Sequence, residues 1–202
     1  FVTNFGTTQA DHSWARDVDG SAVWSICTNP SPAASNAAGM FTGYAPTPVF
    51  SSEAGYYAGG VDIFINVPAG YEVRYTTDGY APNAGSTLYT GAINIVNTTV
   101  LRAYMLDLAG NESPSYIETN TYFTGADSHT IAVVSVSGDN QEDGAWPGGG
   151  GDEPMHVEFF QSNGMFRVEA TGDSSAAANN TLSKDKKIVF PKLNHHQLLF
   201  LQ

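Results

Sequence analysis

Tyr71-Glu72-Val73-Arg74-Tyr75-Thr76-Thr77-Asp78-Gly79-Tyr80-Ala81-Pro82 is the stretch that decides the fold. Val73 and Tyr75 alternate with Glu72, Arg74 and Thr76, the period of two that a half-buried strand requires, and Thr77-Asp78-Gly79 ends it with turn residues. Working outward, residues 61–67, 88–89, 92–96, 100–106 and 116–123 have strand character, each bounded by Gly, Pro, Asn or Asp. Helix caps followed by long runs of period 3.6 are missing. Short strands at this spacing predict an all-β chain built on a β-sandwich.

The segment then acquires a family likeness. Pro48-Val49-Phe50, Gly55-Tyr56-Tyr57, Val61-Asp62-Ile63, the run Val73 to Gly79, Pro82, Leu88-Tyr89, Gly91, Ile93, Thr98-Thr99-Val100-Leu101-Arg102-Ala103 and Gly110-Asn111-Glu112-Ser113 follow in this order. It resembles the chitobiase/β-hexosaminidase C-terminal-type domain over nearly all of 46–124. The resemblance implies a small immunoglobulin-like module of bacterial secreted proteins, and a non-catalytic one.

Composition narrows the function classes. The chain has 202 residues, 42% hydrophobic and 12% aromatic, which is globular composition and room for one or two domains. Only 14% of residues are charged, and 20 acidic against 8 basic residues give a net charge of −12. Such a chain repels nucleic-acid phosphates and anionic membrane surfaces, so no nucleic-acid partner is expected. No stretch approaches the roughly 20 apolar residues of a membrane span. The lone cysteine, Cys27, excludes an intrachain disulfide and lies in the apolar run 22–27, where packing is expected of it rather than catalysis. Without an initiator Met or a signal-like start, the sequence is expected to be a mature product or a fragment.

Before the central module, Ser13-Trp14-Ala15-Arg16, Asp19-Gly20, Trp24, Thr28-Asn29-Pro30-Ser31-Pro32 and Ser35-Asn36 look like the closing strands of a lamin-tail-type domain over 10–36. Trp14 and Trp24 offer either a sugar-stacking platform or core packing, of which packing is the usual use of aromatics in short strands. Pro30, Pro32, Pro46 and Pro48 predict an extended, only partly ordered linker over 29–48.

Oxygen-rich loops are the candidate cation sites. Asp107, Asn111 and Glu112 stand in one loop that can supply part of a calcium shell, or else form an Asx-type turn. Asp78 and Asn83 pose the same choice. Asp139, Glu142, Asp143, Asp152 and Glu153 flank the Gly-rich 148–151, and of these Asp139 and Asp143 are taken as calcium candidates against the alternative of a solvated loop. The glycines do not make a nucleotide loop, because acidic Asp152-Glu153 follows them instead of a lysine. Tyr56, Tyr57, Tyr71, Tyr75, Tyr80 and Tyr89 line a groove or pack across strands.

In the last third, residues 131–137 predict a buried strand, and 154–170 a hairpin turning at Asn163-Gly164. With Ile131 to Val136, Glu153 to Phe160, Gly164 and Arg167 to Gly172 in order, residues 130–173 look like the opening strands of a CotH-type, spore-coat kinase-like domain. That likeness implies ATP and a divalent metal for a complete domain, but no catalytic position carries over. His156 and Glu158 share a strand face and are expected to form a surface pair. All lysines, Lys184, Lys186, Lys187 and Lys192, fall near the end, a shift that suggests a separate terminal element or a non-native continuation. His195 and His196 are adjacent, so a strand would point them to opposite faces and away from a shared ion.

The expectation is thus an immunoglobulin-like β-sandwich with additional strand segments before and after it. It divides into 1–45 (lamin-tail-like strands and linker), 46–124 (the chitobiase-type module) and 125–202 (a CotH-like start with an atypical tail). The expected function is a non-catalytic structural, adhesion or spacer region of a secreted or cell-surface bacterial protein, with other domains or copies of a surface assembly as partners. A glycan partner or a calcium ion is admitted, and the alternatives are a CotH-like phosphotransferase and a carbohydrate-binding module.

Overall fold

The alternating stretch becomes strand β6 (Tyr71–Thr76), with Val73 fully buried. The turn that ends it is built by its own side chains. Asp78 Oδ1 accepts the Tyr80 N–H at 3.1 Å, Thr76 Oγ1 donates to the Tyr80 carbonyl at 2.6 Å, and Gly79 takes the left-handed φ of 85° that a side chain would resist. In the computed structural model, residues 6–36, 39–125, 132–138, 154–160, 167–173 and 197–200 are described. Among them every regular element is a strand, and none is a helix long and apolar enough to cross a membrane.

β1 (Ser13–Arg16), β2 (Trp24–Cys27) and β3 (Met40–Phe41) form one antiparallel sheet. The central sheet joins β4 (Gly55–Tyr57), β6, β7 (Thr87–Leu88), β9 (Thr99–Asp107) and β10 (Glu118–Thr124) in the order β4-β10-β9-β6-β7. β5 (Val61–Ile63) pairs with β8 (Ile93–Ile95) in a small second sheet, which Phe50 extends by bridging to Ile65. β11 (Val133–Gly138), β12 (Pro154–Phe160), β13 (Arg167–Asp173) and β14 (Gln197–Phe200) make a fourth, in the order β13-β12-β11-β14.

The sandwich is the small sheet against one face of the central sheet. Ile63, Ile65, Ile93 and Ile95 meet Val73, Leu101, Ala103, Met105 and Tyr122 there. Full burial of each of the Ile, Val, Leu and Met side chains contributes roughly 1.5–3 kcal/mol. Tyr122, buried, and Tyr89, partly buried, bring polar tips that need partners, and they find backbone. Tyr89 Oη accepts the Ile65 N–H at 2.9 Å, and Tyr122 Oη donates to the Ser52 carbonyl at 2.8 Å.

Strand β9 is buried on both faces. Its odd positions, Leu101, Ala103 and Met105, enter the sandwich core. Its even positions, Val100, Arg102 and Tyr104, are buried on the outer face together with Thr119, Thr121 and Phe123 of β10. The fourth sheet covers part of that face. Phe123 meets Phe160 edge-on at 5.0 Å and stacks on Tyr56 at 4.7 Å, with Val133 alongside.

Several expectations need correction. The Pro-rich stretch 29–48 is not a loose linker across 39–45. There β3 pairs with β2, the Thr42 N–H donates to the Asn111 carbonyl at 2.9 Å, and the Ala45 and Ser113 backbones bond at 2.8 Å. The small residues between the prolines let the backbone lie against its neighbours and use its own polar groups. His156 and Glu158 are not on the surface, since β12 stacks on the outer face of the central sheet and leaves them 4% and 0% exposed. The edge strand expected at 88–89 is Thr87–Leu88, because Tyr89 turns its hydroxyl inward. The terminal element is no separate unit across 197–200, where β14 pairs antiparallel with β11. β12 and β13 pair as the expected hairpin requires, while the Asn163-Gly164 turn lies outside the described residues. So do Asp139, Glu142, Asp143, Asp152, Glu153, the lysines and His195-His196.

Candidate functional sites

The loop after β9 is the first candidate, and several of its oxygens are engaged. Asp107 Oδ1 accepts the Ala109 N–H at 2.9 Å, while Oδ2 accepts those of Asn111 and Glu112 at 2.8 and 3.1 Å. The Ala109 N–H, with those of Asn111 and Glu112 behind it, holds the Asp107 carboxyl below its ordinary value of 3.8 against the opposing effect of desolvation. Glu112 Oε2 accepts the Tyr71 hydroxyl at 2.8 Å, and that bond raises the tyrosine pKa above 10.0. The Asn111 carbonyl accepts both the N–H and the hydroxyl of Thr42, at 2.9 and 3.1 Å. The three sequence candidates therefore do meet in one loop, arranged as an Asx-type turn. Among the described residues no group of three or more His, Cys, Asp or Glu is placed to hold a metal.

The second candidate is an open depression of roughly 360 Å³ beside the β6 turn, lined by residues from Tyr75 to Asp78, by Asn83 and by residues from Gly85 to Thr87. Its polar groups are also spent locally. Asn83 Oδ1 accepts the Gly85 N–H at 2.8 Å and Ser86 Oγ accepts the Asn83 N–H at 2.9 Å. Of the other sequence candidates, Cys27 is buried packing, Trp24 lies under the Arg16 guanidinium at 5.1 Å, and the Trp14 indole N–H donates to the Gly6 carbonyl at 3.0 Å.

The third group was not foreseen. On the outer face of the central sheet, Thr121 Oγ1 donates to Glu158 Oε2 at 2.5 Å and shares a hydrogen bond with Ser135 Oγ at 2.7 Å. Arg102, 3% exposed, donates from Nη1 to the Gly138 carbonyl at 3.0 Å and to the Gly79 carbonyl at 3.3 Å, and from Nε to Thr119 Oγ1 at 3.2 Å. Burying charge costs several kcal/mol unless hydrogen bonds answer it, and here they cross between two sheets. No solvent reaches Glu158, and the group fastens the two sheets together. The sequence signal was Arg102 inside the otherwise apolar run Val100 to Leu106.

Residues 52–119 match the family model of the chitobiase/beta-hexosaminidase C-terminal domain. The match takes in β4 to β9 and ends just inside β10. The comparison with curated proteins and that with solved structures gave no match. The matched segment is thus similar to an immunoglobulin-like, non-catalytic type of domain, held here between sheets of the flanking sequence.

Proposed function

We propose that this chain is a non-catalytic structural region, a spacer that sets the separation and orientation of its neighbours within a secreted or cell-surface protein. The observation that carries this reading is that polar side chains on both flanks of the central module bond segment to segment. On one side of the central module, Gln9 Nε2 donates to the Pro114 carbonyl at 2.9 Å and Tyr116 Oη to that of Thr7 at 3.2 Å. On the other, Arg102, Thr121 and Phe123 hold β11 and β12. The division into 1–45, 46–124 and 125–202 belongs to the same proposal, as do the lamin-tail and CotH likenesses of the flanks. The extracellular setting rests on composition and on the type of domain matched.

A second reading has one observation in its favour: the matched model takes its name from chitobiase and β-hexosaminidase, which favours a glycan ligand. A glycan array carrying N-acetylhexosamine oligomers, probed with the whole chain, decides between them. The spacer reading expects no saturable signal. Saturable retention that Tyr75→Ala or Asn83→Ala removes would replace it with glycan binding at the β6 depression.

A further inference from the structure

We propose that His12 and Tyr44 form a proton-sensitive clasp, which holds the turn 9–12 against the central module when the imidazole is neutral and loosens it when the imidazole takes up a proton. The turn is set by sequence. The His12 N–H donates to the Gln9 carbonyl at 3.2 Å, and Asp11 takes the left-handed φ of 62° that Asp tolerates better than most residues. It lays the imidazole parallel to the Tyr44 ring, 7° between planes and 5.8 Å between centres, with Nδ1 2.8 Å from the Tyr44 oxygen. Tyr44 is fixed from behind, through its bridge to Ser113 and the tilted Tyr116 ring 5.1 Å away.

The charge state of the imidazole sets the direction of these hydrogen bonds. Tyr44 Oη accepts the Gln9 backbone N–H at 3.0 Å. With the ring neutral and its proton on Nε2, a bare Nδ1 accepts the Tyr44 hydroxyl proton. A protonated imidazole would offer N–H at Nδ1, two donors would face one phenolic oxygen, and the tyrosine proton would have to turn elsewhere. Desolvation works in the same sense and lowers the His12 pKa from 6.5, against the opposing charge of Asp11. The titratable groups facing the pair are Asp11 on its own segment, Tyr44 on the 39–45 segment and Tyr116 behind Tyr44. Burial raises the Tyr44 pKa, so the phenol keeps its proton throughout.

The sign follows. With the folded pKa below 6.5, the clasp is at full strength above 6.5 and is lost as pH falls through the folded value. The Gln9–Pro114 and Tyr116–Thr7 bonds do not involve the imidazole, so the N-terminal side of the turn stays anchored while the clasp loosens.

The test follows two signals of the whole chain by NMR: the imidazole C–H shifts of His12, and the exchange protection of the Gln9 amide corrected for its intrinsic rate. We expect His12 to titrate below 6.5. Gln9 protection should fall over the interval between 6.5 and that folded value, about tenfold for each unit separating the two. His12→Gln keeps an acceptor for Tyr44 without a titrating group, and should leave Gln9 protected and independent of pH. Titration of His12 at 6.5 or above, or unchanged pH dependence at Gln9 in His12→Gln, overturns the clasp. Should that variant fail to fold, the wild-type titration decides alone.

Discussion

Asp107 shows how much one side chain can settle when it is surrounded by backbone donors. Both carboxylate oxygens accept N–H groups of the following turn, an arrangement that favours the ionised acid. Its folded pKa is depressed, so the stability it contributes is present above 3.8 and is lost as pH falls through the folded value. Thermal melts of the wild type should drop below about pH 4 by more than those of Asp107→Asn, whose amide offers a single acceptor and does not titrate. At neutral pH the same substitution should lower the melting temperature. Millimolar calcium should leave the wild-type melt where EDTA leaves it; a calcium-dependent rise that Asp107→Asn abolishes would mean that the loop opens to coordinate an ion. The sequence brought Asp107, Asn111 and Glu112 together on oxygen content alone. It gave no sign of whether those oxygens would face a cation or an N–H, because that depends on how the backbone turns after Asp107.

At the scale of the element, burial and not strand propensity decides what a substitution costs. Leu101 and Leu88 are both strand leucines, yet Leu101 is fully enclosed between the two sheets of the sandwich and Leu88 lies 41% exposed on the edge strand β7. Leu101→Ala should destabilise by about 2–5 kcal/mol and Leu88→Ala by about 0.5 kcal/mol or less, read from denaturant midpoints at unchanged m-value. Equal costs would mean that β9 is not the middle of a layered structure. Strand β6 was legible to its ends because the alternation and the Thr77-Asp78-Gly79 turn are both local. Strand β9 was legible as a strand but not as one covered on both faces. Its second cover comes from β11 and β12, beyond the module, and no period within Thr99–Asp107 encodes that. The ordering of 39–45 escaped for the same reason: its partners are Asn111 and Ser113, far along the chain.

For the whole molecule, the decisive question is whether the fourth sheet and the central module act as one body. β14 pairing with β11 lay beyond reach of the sequence, since the strength of a pairing between 133–136 and 197–200 depends on what brings the two ends together. The docking of β12 can nevertheless be tested through the aromatic contact at its heart. Phe160 is buried, its ring set at 88° to Phe123 and at 83° to Tyr56. Replacing either phenylalanine by alanine should cost about 3–5 kcal/mol, but that alone does not prove contact, because each ring also packs within its own sheet. The double-mutant cycle isolates the shared part. Phe123→Ala with Phe160→Ala should fall short of additivity by about 0.5–1.5 kcal/mol, the amount an edge-to-face pair contributes beyond its buried area. Strict additivity in equilibrium unfolding would mean that the two rings do not meet in solution. The central module would then carry the fourth sheet as a loosely hung neighbour, and a spacer that fixes orientation would be ruled out on that side.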